Sequence, residues 1–250
     1  VRVRARGPAG TEVVLRHAEV LEHGELGTRP LRAAEATDTF ILSGSDDVLE
    51  PTFTFHGFRY VEVSGWPGEL TADALEAVAI GSDLARTGWF SCSNDEVNQL
   101  VRNTLWSQMD NFVSIPTDCP QRDERMGWTG DIAVFAPTAA FQFDCRAFLD
   151  SWLRDLVLET EHRADRAVPV VIPDIVKYGD HLWNQVGELA VWADATVWVP
   201  KALWRAYGDR EALARHYPAM CLHLAKAEGL LSPEGLWNAE MQLGDWLDPA

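Results

Sequence analysis

The sequence predicts a mainly α protein with an N-terminal β segment, and three observations carry that reading. Residues 1–90 alternate apolar and polar positions between glycine and proline punctuation, which is the period of half-buried strands. Beyond them, apolar residues recur three and four positions apart over long segments, which is the helical period. With 47% hydrophobic and 24% charged residues in 250, the chain has the composition of a folded globule, enough for one large domain or two smaller ones.

The elements follow in order. VRVRARG alternates, TEVVLRHAEVL and TDTFILSG are β-branched apolar runs, and TFTFHGFRYVEVSGWPG alternates aromatic with polar residues. Together they predict an all-β segment over 1–90, part of a sandwich. Near Gly88 the character changes. Ser93-Asn94-Asp95-Glu96 fits a capping box in which Ser93 takes a backbone N–H and Glu96 reaches back, and VNQLVRNTLWSQMDNF follows at helical spacing. Phe148, Trp152, Leu156 and Glu159 line one face of CRAFLDSWLRDLVLETEH, predicting a long amphipathic helix. VGELAVWADATVWVPKALWRAYG is apolar nearly all round and predicts a buried helix, kinked at Pro200 and stopped by Gly208. Asp209 then caps DREALARHYPAMCLHLAKAEGL. Long helices joined by substantial loops suggest stacked helical hairpins, an arrangement that can close as a toroid, although periodicity does not fix closure.

Several function classes are disfavoured. A net charge of −17 and a pI near 4.7 argue against a nucleic-acid partner, because phosphate binding needs a basic surface. Cys92, Cys119, Cys145 and Cys221 lack zinc-site spacing and read as buried thiols, while His56 and His181 are lone histidines without a matching ligand set. No metal or cofactor is expected. No apolar run approaches the roughly 20 residues of a membrane helix, so no membrane partner is expected either. The opening VRVRARG without methionine and the closing GDWLDPA suggest a piece of a longer polypeptide. The expected compartment is the cytoplasm, or the exterior if a signal peptide lies upstream.

The densest charge lies in DCPQRDERMGWTGD, residues 118–131, between two helical segments. Carboxylates crowded beside a core need arginine partners, a metal or a ligand. Pro116 and Pro120 place the stretch in a loop that enters a helix. If the helical turn starts near Arg122, then Glu124, Trp128 and Asp131 share one face, putting two acids and an aromatic plate toward one cavity. Aromatic faces meet the apolar side of a pyranose and carboxylates accept its hydroxyls. Three readings remain on the residues alone. Arg122 and Arg125 can neutralise Asp118, Asp123 and Asp131 in a structural network. The acids can hold calcium, although their positions match no known calcium loop. Or one carboxyl, kept protonated, can serve as a glycosidic acid.

The run PTDCPQRDERMGWTGDIAVFAPTAAF resembles the signature of the bacterial α-L-rhamnosidases, a glycoside hydrolase family. HGFRYVEVSGWPG, TGWFSCSNDEVNQLVRNTLWSQMDNFVSIP, WADATVWVPKALWRAYGD and GDWLDP agree in the same order, so the resemblance runs from about Val13 to the last residue. It implies a partial (α/α)6 toroid over 91–250, preceded by part of a β-sandwich. It also implies inverting hydrolysis of terminal α-L-rhamnosides, with rhamnose-containing glycosides as substrates. Glu124 matches the family's general acid, and Asp118, Arg122, Trp128 and Asp131 match its rhamnose-binding residues, with Asp123 and Arg125 tuning the charge. Trp183, Trp192 and Asp194 fall where the family lines its pocket, and Asp245 and Trp246 carry its GDW pattern, while Trp192 and Trp198 fit a core role better and Asp194 fits a structural role equally well. The family's general base lies downstream of the GDW motif, so the isolated chain is expected to be inactive. An open half-toroid exposes apolar faces and predicts association, including a homo-oligomer. The alternatives are a carbohydrate-binding or scaffolding piece without turnover, and a different toroid enzyme such as a lyase.

Overall fold

The computed structural model describes residues 1–178, 186–238 and 241–243. The chain forms two compact units, Val1–Gly81 with Cys119–Arg125, and Ser82–Asp118 with Met126–Ala250. The chain is mainly α with an N-terminal β segment.

In the first unit the strands are β1 (Arg2–Arg6), β2 (Glu12–Ala18), β3 (Val20–Glu22), β4 (Glu25–Gly27), β5 (Thr37–Ile41), β6 (Asp46–Leu49), β7 (Tyr60–Ser64) and β8 (Leu75–Glu76). They build two antiparallel three-stranded sheets, ordered β6-β1-β8 and β5-β2-β7, and a β3-β4 hairpin. The alternation in the sequence sets the faces: Val3 and Ala5 of β1 are buried while Arg4 and Arg6 are exposed, and Val13 and Leu15 of β2 are buried while Arg16 is exposed. Both sheets feed one core of Val3, Ala5, Val13, Leu15 and Leu42. Each large aliphatic chain buried there contributes about 1.5–3 kcal/mol. Only Tyr60–Ser64 of the expected TFTFHGFRYVEVSGWPG strand pairs in a sheet. Residues 52–59 form a loop instead, because Gly57 N–H is given to Pro120 O at 3.1 Å and Phe53 faces solvent.

The second unit contains α1 (Asp95–Asn111), a short hairpin of β9 (Phe112–Val113) and β10 (Ile115–Pro116), α2 (Thr129–Gln142), α3 (Arg146–His162), α4 (Ala195–Tyr207) and α5 (Arg210–Gly229). The cap of α1 is Asn94 rather than Ser93. Its side-chain oxygen accepts from Glu96 N (2.9 Å) and Val97 N (3.3 Å), as an amide one position later does equally well. Along α3, Leu149, Trp152, Leu153 and Leu156 are buried on one stripe, as the period predicts. The expected helix through VGELAVWADA does not form. Val191 has φ of 71° and its N–H bonds the side chain of Asp194 at 2.9 Å, a local turn that competes with helix, so α4 begins only at Ala195. Gly208, with φ of 64°, ends α4, and Asp209 caps α5 by accepting from Ala212 N at 2.9 Å.

α2 packs on α4, and α4 on α3 and α5. Ile132, Ala133, Ala136 and Ala139 meet Leu149, Trp152 and Leu153 and the α4 residues Val199, Ala202 and Leu203 in one core. Small side chains on α2 let α4 approach closely. A second cluster joins Trp128, Val170, Val171, Val176, Val186, Leu189 and Trp192. Trp198, expected in the core, is 40% exposed, since its turn of α4 faces away from this packing. Cys119 and Cys145 are buried as expected, but Cys92 and Cys221 are exposed. Burial pushes the Cys145 thiol up to about 12, which leaves it inert.

Candidate functional site

The stretch rich in acids is held by its ends. After α1, the β9-β10 hairpin turns through Ser114 (φ of 68°), and Thr117 N–H returns to Asn111 O at 3.0 Å. Asp118 then clasps Met126 twice: Asp118 N donates to Met126 O (3.2 Å), and Asp118 Oδ1 accepts from Met126 N (3.1 Å). From Met126 the chain runs along the 167–172 segment, with Ile172 N donating to Gly127 O (2.8 Å) and Thr129 N to Val170 O (2.9 Å). A Cβ on Gly127 would stand 2.2 Å from Ile172 O, so only glycine admits this approach.

Helix α2 starts at Thr129, so Glu124, Trp128 and Asp131 do not share a helical face. The pairing of Trp128 with Val171 keeps the backbone extended up to the helix, which is why the turn cannot begin near Arg122. Trp128 is 7% exposed, with its indole in the valine-rich cluster.

Within the second unit, Asp118 and Asp131 line a cavity of about 510 Å³. Gln108, Asn111 and Thr117 supply further polar groups, and Phe112, Phe135 and Trp192 supply aromatic wall. The Trp192 ring lies against Gly130, where a Cβ would come within 2.8 Å of the indole, so the glycine sets the cavity's shape. The volume and the mix of apolar wall with a few polar groups suit a small polar ligand. Trp192, which the sequence offered as core or pocket wall, is therefore both.

Asp194 sits at the start of α4 with an imidazole as its partner. His223 Nε2 lies 3.1 Å from Asp194 Oδ1, and His223 Nδ1 lies 2.7 Å from Glu188 Oε1. Glu188 is also ion-paired to Lys226 at 2.9 Å. Burial opposes protonation of His223, but Asp194 and Glu188 outweigh it and raise its pKa to about 9. The His223 hydrogen bond, against burial, holds the Asp194 carboxyl below its usual range. Sequence reading missed Glu188 and His223. The signal was present in two carboxylates within an apolar segment, each requiring a buried cation.

Arg122 and Glu124 belong to the segment that joins the first unit. Glu124 Oε2 is 2.6 Å from Arg32 Nη1 and 3.1 Å from Arg122 Nη2, with the side chain 21% exposed. Glu124 and Arg125 have φ of 100° and 38°, a backbone that branched or bulky residues rarely adopt and that costs on the order of 1–3 kcal/mol per residue. The Arg125 guanidinium donates to Phe55 O (2.8 Å) and packs over the Phe55 ring, so it anchors the 52–59 loop. Asp123 is exposed. Trp183, Asp245 and Trp246, with His181, lie outside the described residues.

Among known proteins, a family model for the bacterial alpha-L-rhamnosidase 6 hairpin glycosidase domain matches residues 85–250, and one for the concanavalin-like domain of bacterial alpha-L-rhamnosidases matches residues 1–81. An alpha-L-rhamnosidase of Streptomyces avermitilis is 44% identical over 250 residues, covering 99% of this chain and 23% of its own length. One of an Alteromonas species is 36% identical, covering 96% of this chain and 25% of its own. The chain thus spans about a quarter of the curated relatives it matches. The crystal structure of an α-L-rhamnosidase from Aspergillus terreus superposes with a TM-score of 0.88 at 44% identity, over 99% of this chain and 28% of that one. The S. avermitilis enzyme complexed with L-rhamnose gives 0.88 at 43% identity, over 99% of this chain and 23% of that one.

Proposed function

The chain belongs to the bacterial α-L-rhamnosidase family of six-hairpin glycosidases, and from that premise we propose that it supplies the sugar-holding side and the acid of an inverting rhamnosidase. The helices of the second unit form part of an (α/α)6 toroid in this reading. The observation that carries it is the cavity of about 510 Å³ with Asp118 and Asp131 on an aromatic wall. Paired carboxylates accept vicinal hydroxyls, and Trp192 offers an apolar face to the ring's C–H groups. In this reading Arg122, Trp128, Asp194, Trp183, Asp245 and Trp246 also belong to the sugar-binding set, as the family's pattern implies.

Glu124 is the general acid that protonates the departing glycosidic oxygen while a second carboxylate activates water from the opposite face. The second carboxylate belongs to the part of the relatives' length that this chain does not span, and the chain alone has no turnover.

The test compares this chain with a protein of the relatives' full length on an aryl α-L-rhamnoside and on an unactivated rhamnoside. Release by the longer protein alone is the expected result. Glu124→Gln in that protein lowers turnover of the unactivated substrate about 10²–10⁴-fold and that of the activated one much less. Unchanged turnover of the unactivated substrate removes Glu124 from the acid role. Rhamnose binding without hydrolysis by the longer protein makes this a binding module.

A further inference from the structure

We propose that His17, Asp38 and His56, in the first unit, form a site for one divalent first-row transition metal ion of the zinc class. The three side chains come from β2, β5 and the 52–59 loop, and their donor atoms lie within 4.8 Å of one another. His17 is 1% exposed and Asp38 6%. His17 Nδ1 lies 2.9 Å from Ala36 O and must donate to it, which leaves a lone pair on Nε2. That Nε2 and Asp38 Oδ2 are both buried without a hydrogen-bond partner, and they face each other at 3.9 Å. Two acceptors turned toward one another in the interior are costly, and 3.9 Å is too long for a shared proton. A cation between them satisfies both.

His56 Nε2, 2.9 Å from Asp38 Oδ1, provides the third donor once its proton moves to Nδ1. The His17 and His56 rings lie 4.5 Å apart between centroids. Metal–ligand distances of about 2.1 Å put neighbouring donors roughly 3.0–3.4 Å apart, between the 2.9 Å and 3.9 Å found here. Two imidazoles with one carboxylate suit zinc and its neighbours, whereas calcium and magnesium prefer oxygen alone. The role is a staple: the first unit buries few large side chains, and small cores of this kind gain most from a metal. The reading of His56 as a lone histidine changes accordingly.

The test uses the untagged chain stripped with chelator and titrated with Co²⁺, then Zn²⁺. The expected result is one equivalent of Co²⁺ showing ligand-field absorption of a nitrogen and oxygen set, displaced by Zn²⁺, with a melting temperature raised by zinc. His56→Gln weakens binding by more than the about 10–100-fold that losing an outer-shell partner costs. In the unaltered chain, ring signals of two of the seven histidines move on zinc addition, a readout that needs no variant. Absence of both the absorption and the zinc-dependent melting shift overturns the proposal. So does a thiolate-to-cobalt charge-transfer band, which would put the ion on cysteine, or full affinity in a folded His56→Gln.

Discussion

His223 is enclosed among charged groups: its ring is wedged between Glu188 and Asp194 with its side chain 1% exposed. Its pKa rises from 6.5 to about 9, so the protonated imidazole stabilises the fold fully below about pH 6.5, and that contribution is lost as pH rises through about 9. The Asp194 carboxyl is depressed, so its contribution is present above the ordinary carboxylate range and disappears as pH falls through its folded value. The shared network is therefore strongest from mildly acid to neutral pH. Urea unfolding of the chain should show stability declining between about pH 6.5 and 9 by on the order of 1–3 kcal/mol. His223→Gln should flatten that decline while lowering stability at pH 6.5. A decline of the same size in both proteins would assign it to other groups. Glu124 presents the opposite residue-scale case, a carboxylate placed by a positive-φ backbone between two arginines, where local strain is retained beside an ion pair.

At the scale of elements, the junction between α4 and α5 is governed by two adjacent residues. Gly208 closes α4 in the left-handed conformation, and the Asp209 carboxylate satisfies Ala212 N. Asp209→Ala should cost about 1 kcal/mol in urea unfolding, and Asp209→Asn much less, since the amide oxygen still caps. Equal losses would remove the cap as the cause. This junction was legible in the sequence because glycine and aspartate act locally. The alternating strands β1 and β2 and the stripe of α3 were legible for the same reason, their periods being properties of the chain itself. The start of α4 was not legible. VGELAVWADA carries helix-compatible apolar residues, and what stops it is the turn made by Asp194 onto Val191, together with the pull of His223 on that same carboxylate. Within the acid-rich stretch, spacing put Glu124, Trp128 and Asp131 on one helical face, which the start of α2 at Thr129 rules out, whereas Asp118 and Asp131, which line one cavity, were paired only by the family resemblance. The sequence offered Trp192 as wall or core, but it did not reveal that Trp128 is packed among valines, because that depends on the pairing of Trp128 with Val171, a partner distant in sequence.

Over the whole molecule, two opposing quantities determine whether chains associate. The net charge of −17 makes them repel at low ionic strength. Against it stands apolar surface on the second unit: α2 and α4 flank a cavity of about 800 Å³ lined by Val134, Pro137, Phe141 and Trp198, of which Val134, Phe141 and Trp198 are 65%, 54% and 40% exposed. Clustered apolar groups of this kind favour burial against another surface. Salt shortens the range of the repulsion, to about 10 Å at 0.1 M and about 3 Å at 1 M, but leaves the apolar attraction intact. The chain should therefore be monomeric in dilute buffer and self-associate as sodium chloride rises toward 1 M, an order opposite to that of an assembly held by ion pairs. Sedimentation velocity over a salt series reads this directly. Phe141→Lys combined with Trp198→Lys places cations on the apolar rim and should hold the chain monomeric across the series, although it brings the net charge closer to zero. Association that persists in the double variant would place the contact on another surface. A mass that falls as salt rises would show that charge, and not apolar area, holds the chains together.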